Sequence, residues 1–131
     1  MVHDPSDPDV WLKFARSDLE YANVKRTSAM LVEKQLFHAQ QCAEKSIKAV
    51  LVFAEIQPPK MHNIRELLDL LPQAIEIPDG VVAATSLTRY STIDRYPGLY
   101  ENATEKMRKE AVALAETVLD WATSIIVTGP K

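Results

Sequence analysis

Cysteine is nearly absent from this chain: Cys42 is the single one in 131 residues. A lone thiol forms no internal disulfide, which excludes a disulfide-stapled secreted scaffold and agrees with a reducing cytoplasm. Flanked by Gln41 and Ala43 within a helical pattern, it reads as a small buried thiol rather than a reactive one. Glycine is almost as scarce, limited to Gly80, Gly98 and Gly129. Hairpin turns draw on glycine at positive φ, so an all-β fold is excluded. There is no basic excess either, with 15 Lys and Arg against 18 Asp and Glu and a net charge of −3. A broad cationic surface for duplex DNA is therefore ruled out, while a local basic pocket stays compatible. No apolar run approaches the roughly 20 residues that cross a bilayer. The start, Met1-Val2-His3-Asp4-Pro5, has neither the basic segment nor the apolar run of a signal peptide. A phosphate-binding glycine loop, a G-x-S-x-G elbow, paired carboxylates and internal repeats are all missing.

What is present is the composition of an ordinary globular protein, 47% hydrophobic and 25% charged, with a length that fits one domain over residues 1–131. Eight prolines cut it into segments. Asp7-Pro8 has the form of a helix cap followed by proline at the first helical position. Trp11, Ala15, Leu19 and Ala22, widened by Leu12, then trace one helical face over about residues 8 to 28. A second helix is expected from about Glu33 to Ile56. Leu36, Ala39, Ala43, Ile47, Val50 and Ala54 share its main face, and small Cys42, Ser46 and Ala49 line the next. A helix that is small on several sides admits several neighbours, so this one is expected at the centre. Pro58-Pro59 is expected to end it. Asn63 caps a short helix from Ile64 to Leu71. Pro78-Asp79-Gly80 opens a fourth, with Val82, Leu87 and Tyr90 inward and Pro97-Gly98 at its close. Asn102 with Glu105 reads as a capping box. The last helix runs to about Val127, with Ala111, Ala115, Val118, Ala122 and Ile125 as its stripe, flanked by Leu114 and Trp121. The expected fold is all-α, an antiparallel up-and-down bundle of four to five helices.

Three stretches carry possible chemistry. Wound at about 100° per residue, His38, Gln41, Lys45 and Lys48 fall in one sector about 80° wide on the second helix. Their donors suit an anion or a nucleobase edge, and a solvated polar face is the plain alternative. Arg95-Tyr96-Pro97 stands where a helix must end. Arg95 either complements the helix C-terminus or grips a phosphate while Tyr96 stacks on a base. His62, just before the Asn63 cap, orders the turn or joins His38. No Cys–His or His-x-x-x-His spacing supports a metal site, and no cofactor is expected.

At these places the sequence resembles the HEPN family (higher eukaryotes and prokaryotes nucleotide-binding domain). The residues are Trp11 with Ala15-Arg16-Ser17-Asp18-Leu19, the second-helix run from Phe37 to Ala49, Pro59-Lys60-Met61-His62-Asn63-Ile64, and Arg95-Tyr96-Pro97. The likeness covers about residues 10 to 127. It implies a helical bundle that usually dimerises, often as partner of a minimal nucleotidyltransferase in a two-component module. Some members are metal-independent ribonuclease toxins with R-x(4–6)-H at the fourth helix. Here Arg89 fits the Arg position, but Arg95 occupies the place of the His. Arginine is a poor proton shuttle at neutral pH, which favours binding over catalysis.

Three readings follow. The first is a cytoplasmic binding module in which His38, Gln41, Lys45, Lys48, His62, Arg95 and Tyr96 hold a nucleotide or RNA phosphate. The second is a ribonuclease toxin using Arg89 and Arg95, with His62 or His38 moving the proton. The third is a dimeric scaffold without chemistry. Phe53, Tyr90 and Leu99 are the expected dimer contacts.

Overall fold

The fold is described from a computed structural model covering residues 3–93 and 103–128. Asp7 starts α1 (Pro8–Asn23) by accepting the Asp9 amide at 2.9 Å, with Pro8 at the first helical position. Leu12, Ala15 and Ala22 are buried, and Trp11 and Leu19 pack partly against them. The helix stops five residues before the expected end. The reason lies in the late carbonyls of α1, which find side-chain donors on other helices. Gln35 Nε2 donates to Tyr21 O at 3.2 Å and to Val24 O at 2.8 Å, while Arg108 donates to Ala22 O at 3.0 Å. These contacts satisfy carbonyls that a helix end otherwise leaves orphaned.

The second helix, α2 (Val32–Phe53), is central as expected: α1 and α5 both pack along it. Leu36, Ala39, Cys42, Ala43, Ile47, Ala49, Val50 and Leu51 are fully buried. Its end departs from expectation, because the stop comes before Pro58 acts. The Glu55 amide bonds Val52 O at 2.9 Å and the Ile56 amide bonds Leu51 O at 2.8 Å. This is a Schellman closure, whose left-handed position usually carries glycine. Here it carries Glu55 at φ 63°, the one positive-φ residue other than glycine among the described residues.

Asn63 caps α3 (Ile64–Asp69) by accepting the Glu66 amide at 3.0 Å. The expected fourth helix is two elements. A short α4 (Asp79–Ala83) passes into a 3-10 helix over Ala84–Tyr90. Val81, Ala84, Leu87, Tyr90 and Ile93 are all buried at a spacing of three, while Val82 is exposed. Three residues per turn is the 3-10 repeat, so this spacing puts all five on one side and turns Val82 outward. Thr104 caps α5 (Glu105–Thr128), its Oγ1 accepting the Met107 amide at 3.1 Å; the Asn102 reading lies outside the described residues. Ala111, Ala115, Val118 and Ala122 are buried, with Val112 and Leu119 beside them, and Ile125 is partly covered. Contrary to the sequence expectation, α5 is long and apolar enough to cross a membrane by length and composition. Its buried stripe faces α1 and α2, as suits the core helix of a bundle.

Glu55→Gly is expected to raise the unfolding free energy by up to about 1 kcal/mol, because relief of left-handed strain outweighs the extra flexibility of the unfolded chain. Urea denaturation measures it, and a loss of stability contradicts the strain argument. Burial pushes the Cys42 thiol up to about 12, so alkylating reagents at pH 8 are expected to modify it only as fast as the protein unfolds. Labelling followed by mass spectrometry checks this.

Candidate functional site

The polar face of α2 is organised by two buried carboxylates. Asp18, on the inner side of α1, has a side chain 10% exposed. Its Oδ1 lies 2.8 Å from His38 Nδ1, and its Oδ2 accepts from Lys45 Nζ at 2.6 Å. Facing an ionised carboxylate, Nδ1 must carry the proton. Nε2 of a neutral His38 is then an acceptor, and it has no partner among the described residues. The Tyr21 ring stacks on His38 with centroids 5.1 Å apart and planes at 23°. Lys45 also lies 5.8 Å from the centre of the Phe14 ring.

The second carboxylate belongs to α2 itself. Glu44 Oε1 accepts from Gln40 Nε2 and faces His62 Nδ1, both at 2.9 Å, while Oε2 accepts from Lys48 Nζ at 2.9 Å. Gln41 extends the chain by donating to Gln40 Oε1 at 2.8 Å. Burial works to raise the Glu44 carboxyl, but the contacts from Lys48, Gln40 and His62 outweigh it and hold the group below its ordinary value. His62 remains mostly exposed while it reaches Glu44 from the loop before α3.

Beside the Asp18 cluster is a cleft of about 270 Å³ lined by Tyr21, Met30, Leu31, Lys34, Gln35 and His38. Lys34 is exposed and makes no ion pair among the described residues.

A HEPN domain family model matches residues 9–126. The chain belongs to the HEPN family. Among solved structures, TT1696 from Thermus thermophilus is 27% identical with a TM-score of 0.73, over 89% of this chain and 96% of that one. ST0689, described as an archaeal HEPN homologue, is 30% identical with a TM-score of 0.73, over 92% of this chain and 98% of that one. No curated protein sequence matches significantly.

Within this HEPN fold the polar sector of α2 divides between two acceptors. His38 and Lys45 turn to Asp18, whereas Lys48 and His62, with Gln41 through Gln40, belong to Glu44. Lys45 and Lys48 each face a carboxylate, so the charge of these two lysines is compensated. His62 and His38 form no shared pair, and among the described residues no three of His, Cys, Asp and Glu gather as a metal set. Arg89 is exposed, its guanidinium carbon 4.8 Å from the Tyr90 ring centre. Arg95, Tyr96 and Leu99 lie outside the described residues. Tyr90 is 2% exposed, a core residue rather than the expected dimer contact, and Phe53 is half-buried. Sequence reasoning about chemistry passed over Asp18, Tyr21 and Lys34. Asp18 was visible only as a position in the family pattern. Tyr21 carried no spacing signal, because it meets His38 from α1, whereas Lys34 stands one turn before His38 on α2 and could have been found by its spacing of four.

Removing the Glu44 carboxylate leaves Lys48 buried and unpaired. Glu44→Ala is therefore expected to cost about 3 kcal/mol, and Glu44→Ala/Lys48→Met much less. A double-mutant cycle in urea measures it, and equal losses in both variants contradict the pairing. Glu44 is held below its unfolded value near 4.5. Glu105 is held at about 2 by hydrogen bonds from Arg108 and then Arg26, but it is exposed and screened, so Glu44 carries most of the effect. Depressed carboxyls contribute stability that is complete above the unfolded value and lost as pH falls through the folded one. The urea midpoint is expected to hold above about pH 5 and to fall progressively below it.

Proposed function

We propose that this HEPN protein is a cytoplasmic nucleotide- or RNA-binding module that recognises a base at the Tyr21–His38 edge. The observation that carries this reading is the fixed ring pair beside a cleft. Asp18 holds His38 in one orientation, Tyr21 stacks on it, and Tyr21 is 58% exposed. Aromatic faces stack on bases of any sequence, contributing about 1–3 kcal/mol per base. His38 Nε2 offers a hydrogen bond to a base edge. Lys34 supplies a cation for a phosphate, whereas Lys45 and Lys48 are already compensated. A volume of about 270 Å³ lies below the usual range for whole small-molecule sites and suits one base with its phosphate outside.

The family resemblance supplies the rest of the proposal. The module works as a homodimer beside a minimal nucleotidyltransferase, and Arg95 and Tyr96 complete the ligand contacts. Phe14, 40% exposed on α1, provides apolar surface for the second copy and leaves Tyr21 open to the ligand. A second reading, the metal-independent ribonuclease toxin, gains from one feature. An Asp–His pair with Nε2 outward is the arrangement of a positioned proton acceptor. Growth arrest by the wild-type chain that is abolished by His38→Gln would move the assignment to that reading.

Isotope-edited NMR titration with AMP, GMP and a short single-stranded RNA at low salt tests the binding function. Shifts are expected at Tyr21, Lys34 and His38. Tyr21→Ala is expected to weaken binding about tenfold or more. No shifts at millimolar ligand would leave the Asp18 and Glu44 networks as structural ties only, the scaffold reading. Light scattering that shows a monomer at micromolar concentration would remove the dimer from the proposal.

A further inference from the structure

A second and larger cleft, about 550 Å³, opens where the N-terminal segment meets the end of α2. Pro5, Trp11, Val52, Ile56 and Pro58 supply apolar wall, Ser6 and Gln57 add neutral polar groups, and Glu55 is the one ionisable residue in the lining among the described residues. Trp11 is fixed, since its indole Nε1 donates to Pro5 O at 2.8 Å. Among the described residues no Lys, Arg or His lines this cleft. Lys48 lies 6.0 Å from the Trp11 ring centre but is bonded to Glu44. The site is thus a largely apolar trough with one acidic residue, Glu55, and no cation in its lining among the described residues.

Glu55 is also the residue at φ 63°. Glycine would close the Schellman turn without strain, and glutamate closes it against a steric penalty. Strained positions of this kind concentrate where a side chain has a task beyond the fold. Two observations, an unfavourable backbone conformation and a cleft whose lining holds no cation among the described residues, meet at one acidic residue.

We infer that this cleft receives an arginine or lysine side chain of a partner protein, with Glu55 taking the cationic head. The apolar walls along Trp11, Val52 and Ile56 match the aliphatic stem of such a side chain, and the carboxylate matches its charged end. The partner is a polypeptide rather than a free amino acid. A free amino acid would bring an α-carboxylate, and no cation lining the cleft receives it. This site is separate from the Tyr21–His38 edge and stands whether or not nucleotides bind there.

The test uses the full chain in amide- and indole-detected NMR. The probes are an arginine-containing peptide, N-acetyl-arginine amide, and the same peptide with Glu in place of Arg. The peptide is expected to shift the Trp11 indole and the Glu55 amide and to bind more tightly than the amide, and the Glu-containing peptide to leave both unmoved. Glu55→Gln is expected to weaken the peptide about tenfold or more. Glu55→Gly is expected to do the same while melting no lower than wild type, so the loss cannot come from unfolding. Silence at Trp11 with millimolar peptide overturns the proposal. So does equal binding of the acidic peptide, or undiminished binding by Glu55→Gly. Equal affinity for the amide and the peptide overturns the assignment of a polypeptide partner.

Discussion

Burying polar groups on a helix that packs against neighbours on several sides is the constraint from which this structure follows. Gln35, Gln40, Glu44, Ser46 and Lys48 of α2 are all buried. An unpaired polar atom there would cost kilocalories. Each therefore has a partner. Gln35 serves the carbonyls at the end of α1, Ser46 donates to Cys42 O, and Gln40 and Lys48 converge on Glu44. Among the described residues only Thr85 Oγ1 is a buried side-chain atom without one. Such pairing is demanding in geometry, so it fixes how α1 and α5 sit on α2 more tightly than apolar contact alone.

The two ends of the α1–α2 packing are held by different means. Along the helices, Asp18 reaches across from α1 to His38 and Lys45. At the connection, Arg26 bonds Gln35 and Glu105, and Arg108 bonds Glu105 together with Ala22 O. Glu105 itself is exposed, so its ion pairs are screened and contribute little. The weight at that end falls on the buried bonds to backbone carbonyls, which decide where α1 stops. Helix length here is set by tertiary contact, not by the propensity of residues 24–28.

This explains what could and could not be read from sequence. The helical stripes, the Asp7 and Asn63 caps, the central position of α2 and the buried thiol were legible, because each is a local periodicity or a local hydrogen bond. The end of α1, the Glu55 turn and the 3-10 segment were not. The first depends on donors from α2 and α5. The second breaks the glycine rule that a reader applies to helix ends. The third was available in principle, since Val81, Ala84, Leu87, Tyr90 and Ile93 repeat every three residues, but an α-helical template hides that repeat. The polar sector of α2 was legible as a helical face, since His38, Gln41, Lys45 and Lys48 share one side of a single helix. Its partners were not legible, because the carboxylate that His38 and Lys45 meet depends on how α1 lies against α2.

Those partners change what the surface can do. A lysine pointing into water attracts any phosphate, whereas a lysine bonded to a buried carboxylate gives an anion little beyond what it already has. Compensation of Lys45 and Lys48 therefore argues against unselective attachment to nucleic-acid backbone and shifts recognition toward groups with shape. The Tyr21–His38 rings and the outward Nε2 have shape, and Lys34 beside them keeps a charge that no described residue pairs. At the other end of α2 the logic inverts. There the charge without an ion pair among the described residues is that of Glu55, held in an unfavourable backbone conformation beside apolar wall. One helix thus carries a neutralised polar face along its middle and, at its end, a cleft whose described lining has an acid and no cation. Ligands suited to one are repelled or left unpaired by the other, which allows both surfaces to be occupied at once by different partners.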